Sequence, residues 1–294
     1  MKKQLFWMLF MLLFVNACAT RTASPDSKEA VYIENKGSDT MVNLALAWAE
    51  AYQDSHAGVQ ISVTGGGSGT GIAALLNKTV DLANASRRIK NEEFETARSN
   101  GVEPIEFVVA RDAIAVIVHP QNPVNALTLQ QLSDIYSGKI KNWSELGGED
   151  RPIVRLSRES NSGTHVYFLE VVLRLGQEGN KTLFSQDTLL LPSSEGIIHE
   201  VRQNPNAIGY DGLGYVPDDL KVLAIAEKNG TAFVRPSIET VNSGAYPIAR
   251  DLYIYTAGQP EDAIKKYLDW IFSDEAQKIV ADLGFVPVTA PNSP

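Results

Sequence analysis

Cysteine is nearly missing from this chain: Cys18 is the only one in 294 residues. That excludes an internal disulfide and a metal cluster held by thiolates. Positive charge is short as well, with 26 Lys and Arg against 35 Asp and Glu, a formal −9. A nucleic-acid partner would call for a basic surface, so none is expected. The four histidines, His56, His119, His165 and His199, have no ligand spacing such as His-Glu-x-x-His. Neither a metal nor a cofactor is expected. His165 adjoins Thr164 and invites a reading as a base for Ser162, but a histidine in a first helical turn is more often simply packed or exposed. No pair of carboxylates stands out as an acid and a base.

The longest early apolar run, Leu5 to Val15, is too short to cross a bilayer. It follows Lys2 and Lys3 and reads as a signal peptide. Val15-Asn16-Ala17-Cys18 resembles a bacterial lipobox, with Asn16 an unusual occupant, so Cys18 is the expected lipidation site. Loss of residues 1–17 leaves 24 of the 26 basic side chains against all 35 acidic ones, a formal −11. An anionic ligand must then be held by local dipoles and hydrogen bonds rather than by overall charge. Residues 18–30 lack large apolar side chains and read as a tether from lipid to fold. The protein is expected to be exported, to the periplasm or cell surface, touching the membrane through its anchor only.

The chain as a whole has 44% hydrophobic and 21% charged residues, fit for a sizeable core and two ordinary lobes. Its centre is Thr64-Gly65-Gly66-Gly67-Ser68-Gly69-Thr70-Gly71. Val59 to Val63 before it alternates like a half-buried strand, and Ile72 to Leu76 after it favours helix. A strand entering a helix through glycines presents bare N–H groups and a positive helix end to one point, a seat for an anion. Three enzyme loops do not fit. Ile72-Ala73 follows Gly71 where a Walker loop needs Lys-Ser/Thr, and Thr70 stands where the dinucleotide fingerprint and the nucleophile elbow need glycine.

Two further junctions have the same form. Val31-Tyr32-Ile33 leads through Gly37-Ser38-Asp39-Thr40 into a helix with an apolar stripe at Met41, Leu44, Ala45, Trp48, Ala49 and Tyr52. Ser38, Asp39 or Thr40 would cap that helix. Ile153 to Leu156 leads through Ser157-Arg158-Glu159-Ser160-Asn161-Ser162-Gly163-Thr164 into a helix ending near Leu173. Only this third junction contains a cation, and a guanidinium with hydroxyls and helix-start N–H groups suits a tetrahedral oxyanion. Elsewhere we read strands at Val80–Ala85, Ile105–Val109, Ala113–Val118, Ala207–Tyr210 and Leu252–Thr256. Helices are expected at 91–99, 127–136, from Ser193, and over about 260–272 and 274–283. Ala113–Val118 is apolar throughout, as a strand buried on both faces is. Strands alternating with helices indicate α/β layers.

Gly37-Ser38-Asp39-Thr40-Met41, Gly65 to Gly71, Ala85-Ser86-Arg87 and Arg158 to Thr164 fall in an order that resembles phosphate-binding proteins of ABC transporters, the PstS type. Leu132 to Ile140 with Asn142-Trp143, and Tyr246-Pro247-Ile248-Ala249-Arg250, are similar to that family too. The resemblance implies a two-lobed periplasmic-binding-protein fold, its ligand cleft between lobes joined by a two-stranded hinge. Residues 31–115 and 248–290 would form one lobe and 116–247 the other. It implies a monomer that captures inorganic phosphate and delivers it to the permease of an ABC importer, with no catalysis. The phosphate set it implies is Ser38, Thr40, Ser68, Gly69, Ser86, Arg87, Arg158, Ser162, Gly163 and Thr164. Arg87 either adds a cation near the cleft or faces solvent. The best-known members have an aspartate where Ser86 stands, which takes the proton of hydrogen phosphate, so selectivity against sulfate is less secure here. The other readings are a binding protein for another oxyanion such as sulfate, and a secreted hydrolase or phosphoryl-transfer enzyme using Ser68 or Ser162.

Overall fold

The computed structural model describes residues 30–288. The signal peptide, Cys18 and the tether up to Glu29 lie outside the described residues. The first elements are β1 (Val31–Gly37), α1 (Val42–Ser55), β2 (Val59–Thr64), α2 (Ser68–Leu76), β3 (Leu82–Ala85), α3 (Asn91–Ser99) and β4 (Ile105–Val118). The middle of the chain supplies β5 (Ala126–Thr128), α4 (Leu129–Tyr136), β6 (Val154–Arg158), α5 (Gly163–Phe168), β7 (Leu189–Leu191) and α6 (Ser194–Gln203). There follow β8 (Ala207–Gly212), β9 (Lys221–Val222), β10 (Ala224–Ala226), α7 (Ile238–Asn242), β11 (Ala249–Thr256), α8 (Asp262–Ile271) and α9 (Asp274–Asp282).

The strands lie in the order β2-β1-β3-β11-β4-β8-β6-β7, with β9 also on β4 and β5 paired with β10 apart. Parallel pairs β1–β2 and β1–β3 make one half of the sheet, and parallel pairs β6–β8 and β6–β7 the other. Between them β4 runs continuously. The sequence suggests two strands there, divided by the polar Arg111-Asp112; the structure joins them into one of 14 residues. The polar pair marks a change of partner instead. Residues up to Ala113 pair antiparallel with β11, and Ile114 to Val118 pair antiparallel with β8. Asp112 faces Arg250 in register, so its charge is matched across the strands and the extended chain need not break. The return passage runs beside it, where Ile114 donates its N–H to the Ile248 carbonyl at 2.8 Å.

Each half has its own core. Met41, Leu44, Trp48 and Tyr52 of the expected stripe are buried with Leu252, Ile254, Tyr267 and Phe285. Ile114, Val116, Leu132, Tyr136, Trp143, Phe168 and Tyr210 fill the second half. All six residues of Ala113–Val118 are buried, as their composition suggests. The helix expected from Leu127 begins two residues later. Thr128 and Gln131 form a capping box, and Ala126–Thr128 is extended against β10. The described residues from Val31 on form one compact unit.

Candidate functional site

The three polar junctions of the sequence meet where the halves of the sheet face each other. In the first, Gly37 has φ +148° and packs so closely that a Cβ would lie 2.1 Å from the Asn84 carbonyl oxygen. Only glycine fits there. The turn places Ser38 so that its N–H donates to that carbonyl at 2.9 Å, and leaves Thr40 buried. In the second, Gly67 donates to the Gly37 carbonyl at 2.9 Å, Gly66 donates to Asp39 Oδ1 at 2.9 Å, and α2 opens at Ser68. β3 ends beside it, and the Ser86 N–H donates to Ser68 Oγ at 3.0 Å. In the third, Ser162 caps α5, its Oγ accepting from the N–H groups of Thr164 and His165.

Five of the residues expected on the ligand converge. Thr40 Oγ1 lies 2.9 Å from Thr164 Oγ1, and Ser68 Oγ lies 3.2 Å from Ser86 Oγ. Gly163 is seated against the two serines: a Cβ on it would come within 2.4 Å of Ser68 Oγ and 2.5 Å of Ser86 Oγ. Thr40, Ser68 and Ser86 come from one half of the sheet, and Gly163 and Thr164 from the other. Buried hydroxyls serve equally as donors and acceptors, so the cluster satisfies itself and can also turn toward an oxyanion.

Arg250 at the start of β11 reaches into this cluster. Its Nη2 donates to Thr164 Oγ1 at 3.0 Å and Thr40 Oγ1 at 3.3 Å, and its Nη1 donates to the Ser86 carbonyl at 3.1 Å. Asp112 holds it from behind, accepting from Nε at 3.2 Å and Nη2 at 2.9 Å. The Tyr167 ring lies 5.7 Å below the guanidinium carbon. Burial pushes the Asp112 carboxyl up, and Arg250 draws it back down. The sequence reading did not place Arg250 or Asp112 at the site. A charged residue among strand residues signals a buried partner, but nothing in one sequence says which residue that is.

Arg158 is differently engaged. Nε donates to the Leu191 carbonyl at 3.3 Å, Nη1 to Ser194 Oγ at 3.0 Å, and Nη2 to Asp39 Oδ2 at 2.7 Å and the Pro192 carbonyl at 2.8 Å. Asp211 Oδ2 stands 3.9 Å from Nη1. Burial is the main cause that raises the Asp211 carboxyl to about 6, with Arg158 opposing it. Of the other expected residues, Arg87 forms a double hydrogen bond to Glu93, at 2.8 and 2.7 Å. The Gly69 N–H donates to the Asn161 carbonyl at 3.0 Å, and Asn161 Nδ2 donates to the Gly66 carbonyl at 2.9 Å. Asn161 therefore ties the glycine loop to the opposite half, a role the sequence reading did not assign. Ser38 is buried without a side-chain cap bond.

His165 does not face Ser162. Its Nδ1 is 3.0 Å from Ser157 Oγ, which also contacts the Tyr210 hydroxyl at 2.6 Å, and its ring stacks on Phe184. Burial lowers its pKa. The catalytic arrangement weighed from the sequence thus has no imidazole at its serine. Among the described residues no group of His, Cys, Asp and Glu could hold a metal ion.

A model of the PBP superfamily domain matches residues 22–275. The chain is 34% identical over 275 residues to the phosphate-binding protein PstS of Pseudomonas aeruginosa, covering 88% of this chain and 83% of that one. It is 32% identical over 301 residues to the phosphate-binding protein PstS of Bacillus subtilis, covering 98% and 95%. A solved structure from Clostridium perfringens, of a protein assigned as a phosphate ABC transporter substrate-binding protein and holding bound phosphate, is similar with a TM-score of 0.78. Identity there is 33%, over 88% of this chain and 100% of that one.

Proposed function

The chain belongs to the PstS family of phosphate-binding proteins, and from that premise we propose that it captures inorganic phosphate between its two lobes and delivers it to an ABC importer. The observation that carries this reading is the meeting of hydroxyls from both halves of the sheet, Thr40 with Thr164 at 2.9 Å, over the seat that Gly163 shares with Ser68 and Ser86. A tetrahedral oxyanion offers acceptors in four directions, and this group supplies short donors from two sides with a guanidinium beside them. Closure of one lobe on the other removes water and strengthens each of those bonds. The lobes we assign are residues 31–115 with 248–290, and 116–247; the change of partner along β4 near Ile114 supports that division. Binding and closure constitute the whole mechanism, and the protein is not an enzyme.

Lys2, Lys3 and the apolar run before Cys18 support export to the periplasm or cell surface, with the cysteine as lipid anchor to a bacterial membrane. No helix among the described residues is long and apolar enough to cross a membrane. The test of function is calorimetric titration of mature, phosphate-stripped protein with phosphate, arsenate and sulfate. One phosphate per chain, with a matching rise in melting temperature by mass action, is expected. Absence of both heat and thermal shift at millimolar phosphate would refute the reading. Sulfate is included because Ser86 brings no carboxylate to the cluster to repel a dianion, which makes selectivity against it less secure.

A further inference from the structure

An open cavity of about 570 Å³ reaches the hydroxyl cluster from outside. Ser86 and Arg250 line it and are buried, so they mark its inner end. Both touch the cluster, Ser86 through Ser68 and Arg250 through Thr40 and Thr164. Arg88 and Lys90, from the turn between β3 and α3, line the cavity from one lobe. Tyr167 of α5 and Glu170 just beyond it line the cavity from the other. The opening therefore runs between the lobes.

Charge is sorted across its wall. Arg88 and Lys90 have side chains 69% and 41% exposed, and their acidic neighbours, Glu106 at 3.4 Å and Glu92 at 3.9 Å, do not line the cavity. Ion pairs this exposed hold weakly, so both cations stay available to an arriving anion. Arg87 is not, because Glu93 binds both ends of its guanidinium. Of the acids on the cavity, Asp251 is engaged by Arg111 at 3.5 Å, whereas Glu170 is exposed at the opening. A mature chain with 24 basic and 35 acidic side chains repels an anion at long range. Closer than a Debye length, about 10 Å at 0.1 M salt, the local charges decide.

We propose that this cavity is the mouth through which the anion reaches the hydroxyl cluster, that Arg88 and Lys90 draw it in, and that Glu170 opposes its passage. The inference rests on the phosphate reading above and deepens it. Neither cation belongs to the cluster, so both act on the rate of arrival more than on the seated ligand.

Rapid mixing of phosphate-stripped protein with radiolabelled inorganic phosphate separates arrival from departure. Arg88→Gln combined with Lys90→Gln is expected to slow association about fivefold or more at about 0.01 M salt, with release little changed. At about 1 M salt, where the Debye length is about 3 Å, the variant should match the wild type. Glu170→Gln is expected to speed association about twofold or more at low salt. Wild-type association in the double variant at low salt would overturn the inference. So would a slowing that persists at high salt, which marks lost packing, or a Glu170→Gln protein no faster than wild type. A wild-type protein that takes up no phosphate would instead overturn the functional reading, and this inference with it.

Discussion

Arg250 and Asp112 stand directly opposite each other on antiparallel strands, their side chains joined at 2.9 Å and both almost wholly buried. The pair sits where β4 changes partners, so one interaction joins the crossing between the lobes to the hydroxyl cluster. Removing one member of such a pair leaves a lone charge in a poor solvent. Asp112→Asn is expected to cost about 3–5 kcal/mol of folding stability. Arg250→Gln combined with it should cost less than the two single changes added together, since the stranded charge is gone. Denaturant unfolding of all four proteins measures the coupling.

Gly163→Ala tests the close approach of the lobes. A methyl group would fall 2.4 Å from Ser68 Oγ and 2.5 Å from Ser86 Oγ, so the halves could not close to this geometry. We expect phosphate affinity to fall about 100-fold or more, the loss of several charge-assisted hydrogen bonds. Ser68→Ala and Thr164→Ala should each cost roughly 1–2 kcal/mol of binding, near the value of one buried hydrogen bond. Calorimetry ranks the three, and a Gly163→Ala protein that binds as tightly as Thr164→Ala would contradict the order.

Asp211 gives stability a pH slope. Its folded carboxyl is raised from 3.8 to about 6, chiefly by burial, so the native state holds this proton more tightly than the unfolded chain does. The favourable contribution is complete below the ordinary carboxylate range and is lost as pH rises through about 6. Asp211→Asn should flatten that fall, which amounts to about 3 kcal/mol at most. Urea midpoints between about pH 4 and 7 check it. A slope unchanged by the substitution would show that another group is responsible.

Ser86→Asp is expected to sharpen selectivity. With serine, the hydroxyl can donate to a bare oxygen or accept from a protonated one; a carboxylate needs a proton on the ligand. The variant should exclude sulfate more strongly and prefer the monoanion of phosphate. The wild type should show the weaker pH dependence between about pH 6 and 8. Arg87 offsets little of the new charge, because Glu93 already holds its guanidinium. Competition titrations of both proteins decide the matter, and identical profiles would place position 86 off the ligand.

Cys18→Ser is expected to abolish lipidation and release the protein from membranes with phosphate affinity unchanged. Membrane fractionation after a salt wash, beside a titration of the soluble form, reads both outcomes. Variant protein that stays with the membrane would refute the lipobox.

Local signals were strong enough to be read from sequence wherever one segment carried them. The stripe from Met41 to Tyr52, the alternation of Val59–Val63 and the helix at Asn91–Ser99 depend on neighbours within a few residues, and each stands where the sequence puts it. The cap expected from Ser38, Asp39 or Thr40 does not form, since α1 is entered from Met41 with no side-chain cap bond. The glycines around Gly67 and the hydroxyls beside them were visible as a place where backbone and small side chains could face a ligand. Pairings between distant residues were not. No local pattern joins Arg250 to Asp112, Arg158 to Asp39 or Asn161 to the glycine loop, since each bond is fixed only when the two halves of the sheet face one another. Nor could sequence tell that Arg111-Asp112 continues a strand, because the charge that would end it is neutralised 138 residues away. Sequence determined which chemistry gathers at the three junctions; tertiary structure decided which arginine lies against the hydroxyls, because only the pairing of β11 with β4 brings Arg250 to Thr40 and Thr164.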